Sequence, residues 1–187
     1  MFALHPAHAE KADRDKPVNL EADRISVDDA KKLYILEGNV LLQRGTLSIR
    51  TDKLIVTQDG EGFQRGVAYG GPGGLAHFRQ KREGRDEYVD GEAERIDHDA
   101  RTEHTDLNGR ALVKSGLDEV RGQFISYDGL TENYLVTSGV NGTSAPAGKP
   151  DRVRAVIQPR QDTRAPSAAP PPPPLQSAPE IANPRQE

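Results

Sequence analysis

The chain has 187 residues, 29% of them charged and 34% in the hydrophobic set, with a formal net charge of −4. That charge argues against a protein that binds by neutralising nucleic-acid phosphates, and no nucleic-acid partner is expected. The absence of cysteine excludes thiolate metal sites, disulfides and cysteine nucleophiles together, and no stretch approaches the roughly 20 apolar residues of a membrane-spanning helix.

In chain order, Ala7-His8-Ala9 is a small-x-small triplet followed by polar sequence. Residues 1–9 read as the end of a signal peptide, which implies export. Residues 10–16 are a charged lead-in. From residue 17 the apolar residues become denser, and sixteen glycines fall between positions 38 and 139. An interior glycine costs a helix roughly 1 kcal/mol relative to alanine, so this punctuation forbids long helices. The intervening segments alternate and are rich in β-branched and aromatic residues: Val40-Leu41-Leu42, Leu47-Ser48-Ile49, Lys53-Leu54-Ile55-Val56, Gln123-Phe124-Ile125-Ser126-Tyr127 and Tyr134-Leu135-Val136. These predict strands at hairpin spacing and an all-β fold. Gly70-Gly71-Pro72-Gly73-Gly74 reads as a hairpin connection, and one further short strand is expected at residues 152–157. Eleven of the fourteen prolines lie in residues 141–187, so 158–187 reads as a disordered proline-rich tail.

The chain also repeats itself. Glu21-Ala22-Asp23-Arg24-Ile25 returns as Glu92-Ala93-Glu94-Arg95-Ile96, 71 residues later. Without a gap, the same offset aligns Asp28 with Asp99, Leu36 with Leu107, Gly38 with Gly109, Leu41 with Leu112, Gly45 with Gly116 and Arg50 with Arg121. Two copies of one strand–turn–strand unit would bury each other's open ends. Alternation places Val40, Leu42, Ala111 and Val113 on a buried face, with Gln43, Arg44 and Lys114 assigned to the opposite one. The same reasoning adds Ile49, Leu54, Val56, Ile96, Val120, Ile125 and Tyr127 to the inner face. Small side chains at Ala22, Ala93 and Ala111 suggest an interior that is not tightly filled.

The strings Pro17-Val18-Asn19-Leu20-Glu21-Ala22-Asp23, Leu36-Glu37-Gly38-Asn39-Val40-Leu41-Leu42 and Ile49-Arg50-Thr51-Asp52-Lys53-Leu54-Ile55-Val56 resemble the OstA-like family, and within it the LptA-like branch. Leu107-Asn108-Gly109-Arg110-Ala111-Leu112-Val113 carries the same signature, and residues 17–157 are assigned to this domain. The resemblance implies an elongated, twisted antiparallel β jelly roll with an open-ended apolar groove. It implies a lipopolysaccharide-binding periplasmic bridge, joined through edge strands into a head-to-tail homo-oligomer and to LptC-like and LptD-like proteins. It places Val18 and Leu20 on a first, groove-lining strand and Phe78 on the groove wall. His98 and Ala100 stand where the family carries tyrosine and leucine. Val18, Leu20 and Phe78, with Val40, Leu42, Ile49, Leu54, Val56, Ile96, Val113, Val120, Ile125 and Tyr127, make the expected lipid-binding set, from which His98 and Ala100 are left out. Burying an acyl chain of about a dozen carbons is worth roughly 8–10 kcal/mol, so such a groove needs no catalytic residue or cofactor.

Other motifs carry less. Asp97-His98-Asp99 with His104 reads as a turn with solvated polar groups, not a metal site. Gln80-Lys81-Arg82-Glu83-Gly84-Arg85 and Lys31-Lys32 read as cationic loops whose exposed charge serves solubility, with contact to lipid phosphates as the lesser alternative. Two alternatives stay open: another OstA-like subunit such as LptC, and a carbohydrate-active or structural β protein.

Overall fold

Glycine-punctuated alternation resolves, in the computed structural model, into twelve strands among the described residues. Described are residue 13 and residues 16–60, 62–72, 74–82, 84–146 and 152–158; the expected signal-peptide end at 1–9 and the proline-rich tail after 158 lie outside them. The strands are β1 (Asn19–Glu21), β2 (Arg24–Asp28), β3 (Leu33–Arg44), β4 (Leu47–Asp59), β5 (Gly62–Tyr69), β6 (Ala76–Lys81), β7 (Tyr88–Ala93), β8 (Arg95–Asp99), β9 (His104–Ser115), β10 (Asp118–Asp128), β11 (Asn133–Thr137) and β12 (Arg154–Val156). Every pairing between them is antiparallel. The short strand expected at 152–157 is β12.

Four strands, β3, β4, β9 and β10, are long, and each divides its length between two short partners. Leu33–Glu37 of β3 pairs with β2, and Leu41–Gln43 pairs with β1. β4 gives Lys53–Asp59 to β5 and Ser48–Arg50 to β6. In the second repeat β9 gives its first half to β8 and its second to β7, while β10 is shared between β11 and β12. The fold is therefore two walls that diverge from bent long strands. One wall carries β1, β6, β7 and β12, the other β2, β5, β8 and β11. The repeats join where β6 meets β7 and β5 meets β8.

The bend has a local cause. Between Glu37 and Val40 the ladder slips, so that Gly38 and Asn39 oppose the single residue Asp52. Both sit in the left-handed region, with φ of 77° and 47°. Gly109 and Arg110 repeat the device at 75° and 47°, opposite Gln123. Extra residues on one strand bend it and sharpen its twist. At each bulge the next corner is tied in: the Asp23 amide donates to the Gly38 carbonyl at 2.9 Å and the Glu94 amide to that of Gly109 at 3.0 Å. Asn39 donates to the Asp23 carboxylate, and Arg110 to that of Glu94. A Cβ on Gly38 would fall onto the Asp23 carboxylate. The Gly-Asn-Val block is therefore a hinge specification.

Residues opposite one another in a ladder share a face. On the enclosed face, Leu36, Val40, Leu42, Ile49, Leu54 and Val56 of the first repeat meet Ile96, Leu107, Val113, Ile125 and Tyr127 of the second, none more than 2% exposed. The expectation of a loosely filled interior does not hold. Small residues there make room for large ones: Phe78 lies opposite Gly91, where a Cβ would come within 2.7 Å of Leu107. Two further readings are corrected. Arg44 shares the phase of Val40 and Leu42, lies on the interior side and is 8% exposed. The glycine-rich segment 70–74 is not a hairpin connection, because β5 and β6 each pair with β4 and the segment crosses from one wall to the other.

Alanine at a left-handed position costs about 1–2 kcal/mol. Gly109→Ala should lower stability in urea denaturation by at least that amount. Gly60→Ala, where an added Cβ meets nothing within 4 Å, should change it by less than about 0.5 kcal/mol.

Candidate functional site: an apolar ladder with uncapped ends

All thirteen sequence-predicted lining residues fall in one apolar cluster. Val40, Leu42, Ile49, Leu54, Val56, Phe78, Ile96, Val113, Ile125 and Tyr127 are fully buried in it, while Val18, Leu20 and Val120 are partly buried against it. The ten buried ones touch each other across the two walls, so an acyl chain reaches them only if the walls part.

The ends differ from the middle. Ile25 lies opposite buried Leu36, and Val27 opposite Tyr34, so both face the interior side. Their repeat equivalents, Ile96 and His98, are both 0% exposed, yet Ile25 is 45% and Val27 56% exposed. At the other end Tyr134 stacks on Tyr127 with ring centroids 5.0 Å apart and stays partly open. The apolar ladder thus runs the length of the fold and surfaces at both ends. Sequence reasoning missed Ile25, Val27 and Tyr134. The signal was available, since the repeat aligns Ile25 with Ile96 and Val27 with position 98. Among the described residues, β1, β2, β11 and β12 each pair with one strand only, leaving an unpaired backbone edge at each end.

Opposite the bends, the walls meet along a polar seam. Arg82, after β6 on one wall, grips Glu132, in the β10–β11 turn of the other: Nε donates to Oε1 at 3.1 Å and Nη2 to Oε2, while Nη1 donates to Glu87 at 3.0 Å. The hydrogen bond to Arg82 holds the Glu132 carboxyl below the usual range, and Glu132 raises the guanidinium in turn. Beneath this clasp the Gln80 amide donates to Glu103 at 3.4 Å, and the Gly129 amide donates to the Glu103 carbonyl at 2.9 Å. The reading of 80–85 as an exposed cationic loop is corrected at residues 80 to 82. Gln80 is buried, Lys81 pairs with Asp86 at 2.8 Å, and Arg82 closes the seam. A second anchor comes from the lead-in, where Asp13 accepts from the Thr46 amide at 2.8 Å and from its hydroxyl.

His98 is not in a solvated turn. It lies on β8, 0% exposed, with its ring centroid 6.2 Å from those of Phe63 and Phe78 and Nδ1 3.0 Å from the Thr105 hydroxyl. Burial pushes its pKa down to about 4, so the ring is neutral. Asp97, its neighbour, pairs with Arg65 at 3.0 Å and Arg95 at 2.8 Å. One cluster imitates a hydrolytic triad. Ser126 Oγ lies 2.7 Å from His104 Nε2, and Asp106 lies 3.2 Å from the same nitrogen. A base must be oriented through its other nitrogen, so this is a cross-strand polar cluster on the outer face.

The sequence profile of the family described as LptA/(LptD N-terminal domain) LPS transport protein matches residues 19–133, from β1 to the start of β11. The chain belongs to this family. It is 30% identical over 127 residues to the lipopolysaccharide export system protein LptA of Escherichia coli K12, covering 68% of each chain. It is 29% identical over 164 residues to the Haemophilus influenzae protein of the same name, covering 86% of this chain and 88% of that one. The crystal structure of LptH, the LptA-homologous periplasmic component of the lipopolysaccharide transport device of Pseudomonas aeruginosa, superposes with a TM-score of 0.69 at 20% identity. That match covers 79% of this chain and 99% of LptH, and it confirms the β jelly-roll fold.

The clasp predicts an acid limb. A carboxyl whose pKa is depressed on folding adds stability that is fully present above its unfolded value, about 4.3, and is lost as pH falls through the lowered one. Glu132→Gln should lower stability at pH 7 and flatten the loss of stability below about pH 4.3. Denaturant titrations from pH 7 to pH 3 would show this, and an unaltered acid limb would mean that the clasp does not bear on stability.

Proposed function

We propose that this protein is a periplasmic bridge that carries lipopolysaccharide, shielding its acyl chains between the two walls while the sugars remain outside. The observation that supports this most is the apolar ladder, continuous through both repeats and exposed at both ends. A lipid with several chains presents several times the roughly 8–10 kcal/mol that one chain of about a dozen carbons gains on burial. Such a ligand can supply the energy to part walls that otherwise pack against each other. The chemistry needed is burial and passage rather than bond-making, so the role is not enzymatic and calls for no cofactor.

The unpaired edges provide the means of continuity. β1 and β2 at one end, and β11 and β12 at the other, offer free backbone donors and acceptors of the kind that accept an added strand. A head-to-tail homo-oligomer, with an LptC-like protein at the inner-membrane end and an LptD-like protein at the outer, would extend the ladder without exposing it. Exposed Ile25 and Val27 on β2 and Leu135 on β11 suit such joints. Relatives that bear the LptA name favour this reading over the LptC one.

The test uses a photo-reactive residue placed singly at Leu20, at Phe78 and, as an outward-facing control, at Arg79. With purified lipopolysaccharide, adducts should form from Leu20 and Phe78 and not from Arg79. Absence of adducts from both inward positions would overturn the carrier role.

A further inference from the structure

The repeat makes the chain meet itself once, where β6 pairs with β7 and β5 with β8. β7 and β8 are the second-repeat counterparts of β1 and β2. The counterparts of β5 and β6 lie at the far end of the molecule. Asn133–Thr137 of β11 sits on β10 residue for residue as Arg65–Tyr69 of β5 sits on β4. Tyr134 faces Tyr127 as Gly66 faces Val56, and Val136 faces Ile125 as Ala68 faces Leu54. Likewise Arg154 of β12 faces Arg121 as His77 of β6 faces Arg50. The two ends of one molecule are therefore the two halves of a junction that it has already built internally.

We propose that β11 of one copy pairs antiparallel with β2 of the next, and β12 with β1, in the register of this internal junction. The proposal rests on the head-to-tail reading above and deepens it by fixing which residues meet. Gly66–His98 and Ala68–Ile96 within the chain become Tyr134–Val27 and Val136–Ile25 between copies. His77–Glu92 becomes Arg154–Glu21, and Phe78–Gly91 becomes Ala155–Leu20. Strand lengths match, five residues in β11 and β2 and three in β12 and β1. Inward-facing Ile25 and Val27, 45% and 56% exposed, come opposite inward-facing Val136 and Tyr134. Opposite charges meet outside at Arg154 and Glu21, as His77 lies 3.5 Å from Glu92 in the internal junction. A two-residue slip would keep the faces but set Arg154 against Asn19 and leave part of each short strand unpaired.

The joint is also a reduced copy of its template. Across the internal junction Arg65 pairs with Asp97 and Arg79 with Asp90, each at 3.0 Å. Between copies their counterparts are Asn133 with Ser26 and Val156 with Asn19, all uncharged. Of these ion pairs the joint keeps the Arg154–Glu21 one.

Because the chain has no cysteine, disulfide formation between copies of the full chain reads the register. Mild oxidation of the double variant Arg154→Cys, Glu21→Cys should give a ladder of linked copies, and Arg154→Cys, Asn19→Cys should give little. A slip of two residues moves a Cα by about 7 Å along the strand, out of disulfide reach. On the other wall, Leu135→Cys, Ser26→Cys should link and Leu135→Cys, Asp28→Cys should not. Glu21→Arg should weaken self-association in analytical ultracentrifugation by about twofold to fivefold, and Arg154→Glu in the same chain should restore it. Slipped pairs that link as readily as matched ones, or no restoration by Arg154→Glu, would overturn the register while leaving head-to-tail assembly standing. If the wild-type chain sediments as a monomer at every concentration, the assembly falls and the register with it.

Discussion

Everything in this architecture follows from making a long strand turn a corner without breaking its ladder. At Gly38-Asn39 and again at Gly109-Arg110, two left-handed residues face one on the neighbouring strand. The strand bends, and its halves enter different walls. The corner between β1 and β2 is bonded to the first bulge and that between β7 and β8 to the second, so the bends line up along one side of the fold. Without them the long strands would continue one open sheet, and the apolar faces would have nothing to face.

Two facing walls can be closed by what they bury or by what joins their free margins. This protein uses both, and the two respond to different things. The buried face is aliphatic and aromatic, indifferent to which apolar group it meets. The free margin is held by the Arg82–Glu132 ion pair and the Gln80–Glu103 hydrogen bond. Hydrocarbon can replace hydrocarbon inside at little net loss, whereas the margin yields only when an ion pair is given up. On the proposed function, that combination gives a closed resting interior for a strongly apolar ligand to open.

Much of this was legible in the sequence. Glycine spacing and alternation gave the β class, and the 71-residue offset located equivalent corners. Period two sorted the inner face correctly at every aliphatic position chosen. Polar residues were harder, because their placement depends on the opposite wall. Arg44 obeys the phase of Val40 and Leu42 but was assigned outward by its charge. His98 looks solvated between two aspartates, yet its side chain enters an aromatic setting made by Phe63 and Phe78 from other strands. Gln80 was hidden among charged neighbours for the same reason. The division of β4 between β5 and β6 is a long-range choice that no local pattern in Gly70–Gly74 encodes.

If lipid separates the walls, the distance across their free margins must grow when lipid is bound. The chain has no cysteine, so Leu117 in the β9–β10 turn and Leu130 in the β10–β11 turn, both exposed, can be replaced by cysteine and spin-labelled without competing sites. Pulsed dipolar spectroscopy should give one short distance in the protein alone and a longer population that grows with added lipopolysaccharide. An unchanged distance in protein saturated with lipopolysaccharide would contradict the account.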